Sequence, residues 1–314
     1  MSTRVIAGDI GGTKTLLQLV GSDGVSIEQR YESDRFPTFD DMLRDFTSRS
    51  AERIDAACFA VAGPVLGRTA SVTNLHWTMD ADKLERDFAI GRVALINDFE
   101  AVARGVPLLA DNDVVPLQNG KRVTYGPIGI VGAGTGLGEA VVIHDGEEWN
   151  VIASEGGHAD FAPQDEEQTR LFLALRGKLG HVSWERLVSG MGLVNIHNFV
   201  TGVDVPYDDV IPAEIAAAYT RGDEAARRTV AIFVDIYGSE AGNMALRVLA
   251  RGGVFLAGGI AARNLDWFTD GRFIEAFLRK GRFHDILRHI PVNLIANPRV
   301  GLIGATEMAR RIAE

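Results

Sequence analysis

Gly8-Asp9-Ile10-Gly11-Gly12-Thr13 joins two predicted strands close to the N-terminus. The short apolar stretch 6–10 predicts a buried strand, and the apolar run 16–20 predicts a second one. Between them the chain reads Gly11-Gly12-Thr13-Lys14, which predicts a turn because glycine adopts backbone conformations that other residues avoid. The sequence therefore begins with a predicted pair of strands connected by a Gly/Thr loop.

The same pattern occurs a second time, about one domain length further along the chain. Residues 128–131 are apolar, Gly132-Ala133-Gly134-Thr135-Gly136-Leu137-Gly138 is another Gly/Thr loop, and residues 140–143 are apolar again. A repeated segment of this kind indicates internal duplication. We expect two similar α/β lobes that face each other, each contributing one Gly loop to a ligand cleft between them.

The rest of the chain alternates between strand and helix patterns, which predicts the α/β fold class. Short strands are predicted at 56–62 and 92–96, with a helix at 80–88 between them. A long helix is predicted at 223–250, where apolar residues recur every three or four positions, and a strand at 254–257 leads into Gly258-Gly259. A third Gly loop thus follows a predicted strand.

No Pro-rich or low-complexity linker separates the two halves, so the boundary is expected at a hinge near 107–118. The predicted small lobe spans 1–110 and is completed by 301–314. The predicted large lobe spans 111–300.

Composition excludes several classes of protein. The chain has 314 residues and a net charge of −10, which argues against a broad basic surface for nucleic acid. No apolar run approaches the roughly 20 residues that span a bilayer, and no signal-like segment precedes the first Gly loop, so a cytoplasmic protein is expected. Cys58 is the only cysteine, which excludes thiolate metal sites and favours a small core residue.

The first Gly loop is a candidate phosphate-binding loop. Glycine lets backbone N–H groups approach phosphate oxygens, while Thr13 and Lys14 add a hydroxyl and a cation. Asp9 stands at the tip of the strand, where its carboxylate could hold Mg²⁺ on a phosphate, directly or through water. An ordinary hairpin turn without any ligand is the alternative. The spacing fits neither a Walker A loop nor a dinucleotide-binding fingerprint.

Asn97 and Asp98 follow the predicted strand at 92–96, so a rigid element positions their side chains. A phosphoryl-transfer enzyme needs one carboxylate within reach of the attacking hydroxyl, and Asp98 is the best candidate for this base. An Asx turn is the alternative, since Asn and Asp favour such turns.

Ser154-Glu155-Gly156-Gly157-His158 combines a carboxylate and an imidazole around two glycines, a loop that could wrap a small polar ligand. A structural role for His158 is the alternative. Glu185 follows Ser183 by two residues, and from spacing alone it is predicted to be a helix-capping carboxylate.

These residues resemble a known family, the bacterial glucokinases of the actin-like ATPase and sugar-kinase superfamily. The resemblance extends in order over nearly the whole chain. Its segments are Gly8-Asp9-Ile10-Gly11-Gly12-Thr13, Ile96-Asn97-Asp98-Phe99, Gly132-Ala133-Gly134-Thr135-Gly136-Leu137-Gly138, Glu155-Gly156-Gly157-His158, Glu185-Arg186-Leu187-Val188-Ser189-Gly190, Ala257-Gly258-Gly259-Ile260, Lys280-Gly281-Arg282-Phe283, Ile290-Pro291-Val292 and Gly301-Leu302-Ile303-Gly304.

The resemblance implies two actin-like (ribonuclease H-like) lobes that close on glucose, transfer of the γ-phosphoryl group of ATP to the sugar 6-hydroxyl, and a homodimer. It implies that sugar hydroxyls are bound by Asn97, Asp98, Glu155, His158 and Glu185, with Asp98 also the base; this replaces the capping interpretation of Glu185. It implies Mg·ATP at Gly8-Asp9-Ile10-Gly11-Gly12-Thr13, Gly134-Thr135-Gly136 and Gly258-Gly259.

Lys14 departs from the pattern, since many members have Asn there and a related repressor and kinase family often has Lys. That relative usually carries a Cys-rich zinc motif, which a chain with one cysteine lacks, so the zinc-free group is favoured. Two alternatives stay open: a kinase for another hexose, and a sugar sensor without turnover.

Overall fold

The structure, a computed structural model, describes residues 3–21, 23–50, 53–73, 75–208 and 211–314. The chain divides into two compact units, one formed by Met1–Ala110 with Asn297–Glu314 and the other by Asp111–Ala296. Within the described residues, no helix is both long and apolar enough to cross a membrane.

Up to Ala110, the first unit contains eight described strands and three described α-helices. The strands are β1 (Val5–Ile10), β2 (Lys14–Gly21), β3 (Gly24–Glu32), β4 (Ala56–Val61), β5 (Val65–Leu66), β6 (Thr69–Ser71), β7 (Thr78–Asp80) and β8 (Arg92–Asn97), and the helices are α1 (Phe39–Thr47), α2 (Ala81–Phe88) and α3 (Asp98–Gly105).

The second unit contains the remaining strands and seven described α-helices. The strands are β9 (Val114–Gln118), β10 (Ile128–Ala133), β11 (Leu137–His144), β12 (Trp149–Ser154), β13 (Gly253–Ala257) and β14 (Val292–Ile295), and the helices are α4 (Glu166–Leu179), α5 (Gly190–Thr201), α6 (Ile211–Thr220), α7 (Glu224–Val248), α8 (Gly259–Arg263), α9 (Arg272–Leu278) and α10 (His284–Leu287). Helix α11 (Val300–Ala313) then belongs to the first unit.

The two main sheets repeat one topology, which confirms the predicted duplication. In the first unit the order is β3-β2-β1-β4-β8, and in the second it is β12-β11-β10-β13-β14-β9. In each, an antiparallel pair across the Gly/Thr loop is followed by two parallel strands. Strand β9 is an addition to the second sheet, antiparallel to β14.

Both faces of the first sheet are covered, as expected for strands that are apolar throughout. Alternate residues such as Ile6 and Phe59 pack in a core cluster with helix α1 residue Phe39. Their neighbours Ala7 and Cys58 pack on the opposite face with Leu302 of α11. Cys58 is therefore a buried core residue, as predicted, and burial raises the pKa of its thiol above its usual range.

The long predicted helix is confirmed as α7, which forms the centre of the second unit. Val230, Phe233, Ile236 and Tyr237 are all buried there. The helix ends two residues earlier than predicted, at Val248, because Leu249 adopts a left-handed conformation with φ of 46°. The chain then enters β13, whose end carries the third Gly loop.

Candidate active site

The carboxyl ends of three neighbouring parallel strands meet at one edge of the first sheet. Ile10 of β1 pairs with Val61 of β4, and Val61 pairs with Asn97 of β8. Asp9 is the penultimate residue of β1, and Asp98 is the first residue of α3, directly after β8. The topology thus brings together two acidic residues that are far apart in the sequence.

Both carboxylates are only partly exposed, and the charge of Asp98 acts on Asp9. Burial, followed by the charge of Asp98, raises the pKa of Asp9 to about 6. Burial also raises the pKa of Asp98, and the hydrogen bond that Phe99 N donates to Asp98 Oδ1 at 2.8 Å opposes this shift. A carboxylate that is poorly hydrated accepts a proton more readily, which suits Asp98 to act as a base.

Asn97 has a structural role that corresponds to the Asx alternative. Its Oδ1 caps helix α3 by accepting a hydrogen bond from Phe99 N at 2.9 Å. Its Nδ2 donates to the carbonyl oxygen of Gly63 at 3.3 Å. One lone pair of the side-chain oxygen and one amide hydrogen are therefore used within the protein, and a sugar contact by Asn97 would use the other lone pair or the other amide hydrogen.

The first Gly loop is held by a residue that the sequence did not point to. Gly11 N donates to Lys14 O at 3.0 Å, and Ser33 Oγ donates to Gly11 O at 2.8 Å. Ser33 N also donates to Thr13 O at 2.9 Å, while the side chains of Thr13 and Lys14 are exposed. The loop backbone is thus fixed from one side. Ser33 lies in a segment with no motif of its own, so only the fold identifies it.

The second and third Gly loops lie side by side in the second unit. Strands β10 and β13 are parallel neighbours, with Gly132 opposite Ala257. Gly258 has φ of +87°, and a Cβ atom there would overlap the carbonyl oxygen of Ala133. By contrast, a Cβ atom on Gly134 would have no protein atom within 4 Å. Gly258 is required by the backbone itself, whereas the space above Gly134 is open.

Glu155, His158 and Glu185 form one cluster in the second unit. His158 Nε2 lies 3.7 Å from Glu155 Oε2, and His158 Nδ1 lies 3.8 Å from Glu185 Oε1. The predicted capping role of Glu185 is wrong: its Oε2 accepts a hydrogen bond from Leu137 N at 3.0 Å, and Ser189 caps helix α5 instead. Two carboxylates and an imidazole therefore present hydrogen-bonding groups in one place.

The two glycines of this cluster allow the turn to rest directly on strand β11. A Cβ atom on Gly157 would overlap Leu137 O, and one on Gly156 would overlap Glu139 Oε2. Glu185 N donates to Gly157 O at 2.9 Å, which joins the turn to the segment that follows. The close approach explains why the sequence has glycine at both positions.

Asp9 suits the Mg²⁺ that the resemblance implies. Mg²⁺ is usually held by one or two carboxylates together with water and substrate phosphates. Among the described residues, no group of three or more His, Cys, Asp or Glu side chains is arranged to hold a metal ion. Asp9 would therefore supply one carboxylate of a coordination shell that phosphate oxygens and water complete.

Comparison with known proteins gives one consistent family. The glucokinase family model matches residues 6–312. The glucokinase of Trichormus variabilis is 40% identical, with 99% of this chain and 100% of that protein aligned. The crystal structure of a glucokinase from an Antarctic psychrotroph is 29% identical and superimposes with a TM-score of 0.89, covering 98% of this chain and 99% of that one.

A more distant structure shares the fold. The ROK-family glucokinase of Streptomyces griseus, crystallised in complex with glucose and AMPPNP, is 20% identical. It has a TM-score of 0.64 over 98% of this chain and 99% of that chain.

Proposed function

The chain belongs to the glucokinase family, and we propose that its residues carry out ATP-dependent phosphorylation of glucose at the 6-hydroxyl, with Asp98 as the general base. The family match over residues 6–312 supports the reaction. One observation supports the role of Asp98: it is a partly buried carboxylate at the carboxyl end of a parallel strand, with a raised pKa.

In this proposal Asp98 accepts the proton of the glucose 6-hydroxyl while the 6-oxygen of glucose forms a bond to the γ-phosphorus of ATP. The bond between that phosphorus and the ADP oxygen breaks at the same time. Glucose 6-phosphate and ADP are the products. Orientation of the hydroxyl contributes as much as proton acceptance, because the transition state of phosphoryl transfer is loose. Mg²⁺, when bound, neutralises charge on the phosphate oxygens. Asp9 would hold it, directly or through water.

The phosphates of ATP are proposed to contact backbone N–H groups of three loops. These are Gly8-Asp9-Ile10-Gly11-Gly12-Thr13, Gly134-Thr135-Gly136 and Gly258-Gly259. Glycine at these positions keeps side-chain atoms away from the phosphate oxygens, as the open space above Gly134 illustrates.

Sugar hydroxyls are proposed to pair with two groups of side chains. Glu155, His158 and Glu185 would read the hydroxyls near the anomeric end, and Asn97 and Asp98 would hold the 4- and 6-positions. The cluster of Glu155, His158 and Glu185 supports the first assignment, because the His158 ring lies within 4.0 Å of both carboxylates. We also propose that the protein is cytoplasmic and that it forms a homodimer. Gel filtration with light scattering would test the homodimer.

Sugar selectivity provides the test of this function. Galactose, which is inverted at the 4-position, should show kcat/KM at least about tenfold below that of glucose, because each unpaired polar group in the site costs about 1–3 kcal/mol. His158→Ala should raise the KM for glucose about tenfold and reduce discrimination against mannose and 2-deoxyglucose. The measurement is a coupled ADP assay with glucose, mannose, 2-deoxyglucose and galactose.

His181→Ala is a matched control, since His181 is in the same unit, is also 60% exposed and also pairs with a carboxylate, that of Asp160 at 2.9 Å. It should leave all four sugar ratios unchanged. Equal activity with galactose and glucose, or no effect of His158→Ala, would contradict the proposed sugar contacts and return His158 to a structural role.

Gly134→Val tests the nucleotide assignment. Since an added Cβ atom would have no protein atom within 4 Å, the melting temperature should shift by less than about 2 °C. The KM for ATP should nevertheless rise at least about tenfold, because the side chain would occupy space proposed for phosphate. Gly177→Val in helix α4, where the added Cβ also meets no protein atom within 4 Å, is the control. Unchanged ATP affinity in the Gly134 variant would remove this loop from the phosphate site.

A further inference from the structure

Glu139 is a buried carboxyl group that the proposed reaction does not use. It is the third residue of β11 and is 2% exposed. Its Oε1 is buried without a hydrogen-bond partner among the described residues. Burial of an incompletely paired carboxyl group is costly, so its presence calls for a physical reason.

Helix α7 supplies the charged neighbours of Glu139. Arg247 Nη1 lies 3.5 Å from Glu139 Oε2 and 2.5 Å from Glu240 Oε1. Glu240 is completely buried, and Asn243 Nδ2 donates to its Oε2 at 2.8 Å. One arginine thus faces two buried carboxyl groups.

The other side of Glu139 lies against the turn that carries Glu155 and His158. Its Oε2 occupies the space where a Cβ atom on Gly156 would be. Glu139 also pairs with Ser154 across strands β11 and β12, and Ser154 Oγ accepts a hydrogen bond from Gly156 N at 2.9 Å. The carboxyl group therefore forms the surface on which this turn rests.

We propose that Glu139 is a positioning residue for the sugar site: its carboxyl group, held by Glu240 and Arg247 of α7, supports Gly156 and thereby fixes Glu155 and His158. This inference rests on the proposed function of Glu155 and His158 as sugar contacts. It assigns no direct contact with sugar to Glu139. The effect of changing Glu139 should appear in glucose affinity, and ATP affinity should stay the same.

The protonation state of Glu139 is consistent with this role. Burial, followed by the charge of Glu240, raises the pKa of Glu139 to about 8, and Arg247 opposes this shift. Near neutral pH the protonated group can donate a hydrogen bond to Glu240. Above this pKa, Glu139 carries a negative charge and is repelled by the negative charge of Glu240. This repulsion would act directly beneath Gly156.

Two other titratable groups lie close to Glu139 and Glu240. Tyr237 of α7 has a pKa that burial raises above its usual range, so it stays neutral. Lys280 donates from Nζ to Ser239 Oγ at 3.0 Å, and burial lowers its pKa to about 8. Lys280 therefore titrates over the same range as Glu139, and the experiment must separate the two.

The experiment measures glucose binding by calorimetry without ATP, for the parent and for E139Q, E139A and E147Q. Glu147 is exposed on the turn between β11 and β12, so E147Q is the control. For the parent, the Kd should rise about tenfold from about pH 7 to about pH 9, as the protonated fraction falls. E139Q, which remains neutral, should bind like the parent near pH 7 and show little rise.

E139A removes the support of Gly156, and near pH 7 its Kd for glucose should be about tenfold higher, with the KM for ATP unchanged. If E139A does not fold, the comparison of parent and E139Q decides. An equal pH-dependent rise in E139Q would show that a group other than Glu139, such as Lys280, causes the rise, and it would overturn the inference. The inference would also be overturned if E139A and E139Q had the same Kd for glucose as the parent at every pH. If the parent still phosphorylated glucose, the proposed function would be unaffected. A parent that neither binds nor phosphorylates glucose would reject the function itself.

Discussion

Asp98→Asn should lower kcat for glucose phosphorylation by about 10²–10⁴-fold, the usual contribution of a general base. Asparagine keeps the shape of the side chain and can still accept the hydrogen bond from Phe99 N, but it cannot accept the proton of the 6-hydroxyl. Glucose binding should therefore be largely retained. Single-turnover kinetics with calorimetric titration of glucose separates the two effects.

Asp80→Asn is the matched control for this experiment. Asp80 also stands between a strand and a helix of the first unit, and its side chain caps α2 by accepting from Lys83 N at 3.0 Å. Its conversion to an amide should leave kcat at the parental value. If the Asp98 variant also kept nearly parental turnover, Asp98 would not be the base, and the turn interpretation would explain its presence.

Asp9→Asn should lower kcat by about 10²–10³-fold, the typical cost of removing one group that stabilises charge in a transition state. The reason is the loss of the carboxylate proposed to hold Mg²⁺ on the phosphates. The effect should be measured as kcat at saturating glucose and ATP over a range of Mg²⁺ concentrations. Full activity at ordinary Mg²⁺ would contradict the proposed role of Asp9.

The same substitution should make the protein more stable near neutral pH. The pKa of Asp9 is raised from 3.8 to about 6, so the folded state holds its proton more tightly than the unfolded chain does. The stability that this proton provides is fully present below about pH 4 and is lost as the pH rises to about 6. Asparagine avoids this loss and should increase the free energy of unfolding by about 1–3 kcal/mol above about pH 6.

Thermal or urea unfolding of the parent and the Asp9→Asn variant at about pH 4 and about pH 7 tests whether the free energy of unfolding increases. The gain should be present at the higher pH and small at the lower one. Asp23→Asn, at an exposed position between β2 and β3, should change neither stability nor activity. Lower stability of the Asp9 variant at neutral pH would show that the carboxylate is needed for folding. The combination of lost activity and gained stability is typical of a residue kept for function.

The parts of the fold that could be predicted from sequence are those set by local pattern. Strands β1, β2, β10 and β11 follow from apolar runs broken by glycine, and α7 follows from its helical periodicity. The duplication was visible because both copies keep a Gly/Thr loop between two strands. The end of α7 was predicted too late, since the left-handed conformation of Leu249 has no local signal in the sequence.

The candidate site could be predicted only as separate short segments. Glu155, His158 and Glu185 were each noticed, but spacing alone made Glu185 a helix cap, because its actual partner, Leu137 N, is 48 positions away. Ser33 and Glu139 were missed altogether. Their importance depends on which backbone atoms they meet, Gly11 O for one and the Gly156 turn for the other.

The sequence by itself therefore determined the α/β class, the repeated loop pattern and the glucokinase resemblance, because these depend on residue type and short spacing. Only the tertiary structure decided which side chains share a site. It brought Asp9 and Asp98 to the same edge of the first sheet through the order of β1, β4 and β8, and it used the oxygen of Asn97 as a helix cap. It also buried Glu139 between α7 and Gly156. The reason is physical: sheet register and burial bring together residues from distant segments, and the pKa of a carboxyl group depends on the neighbours it meets there.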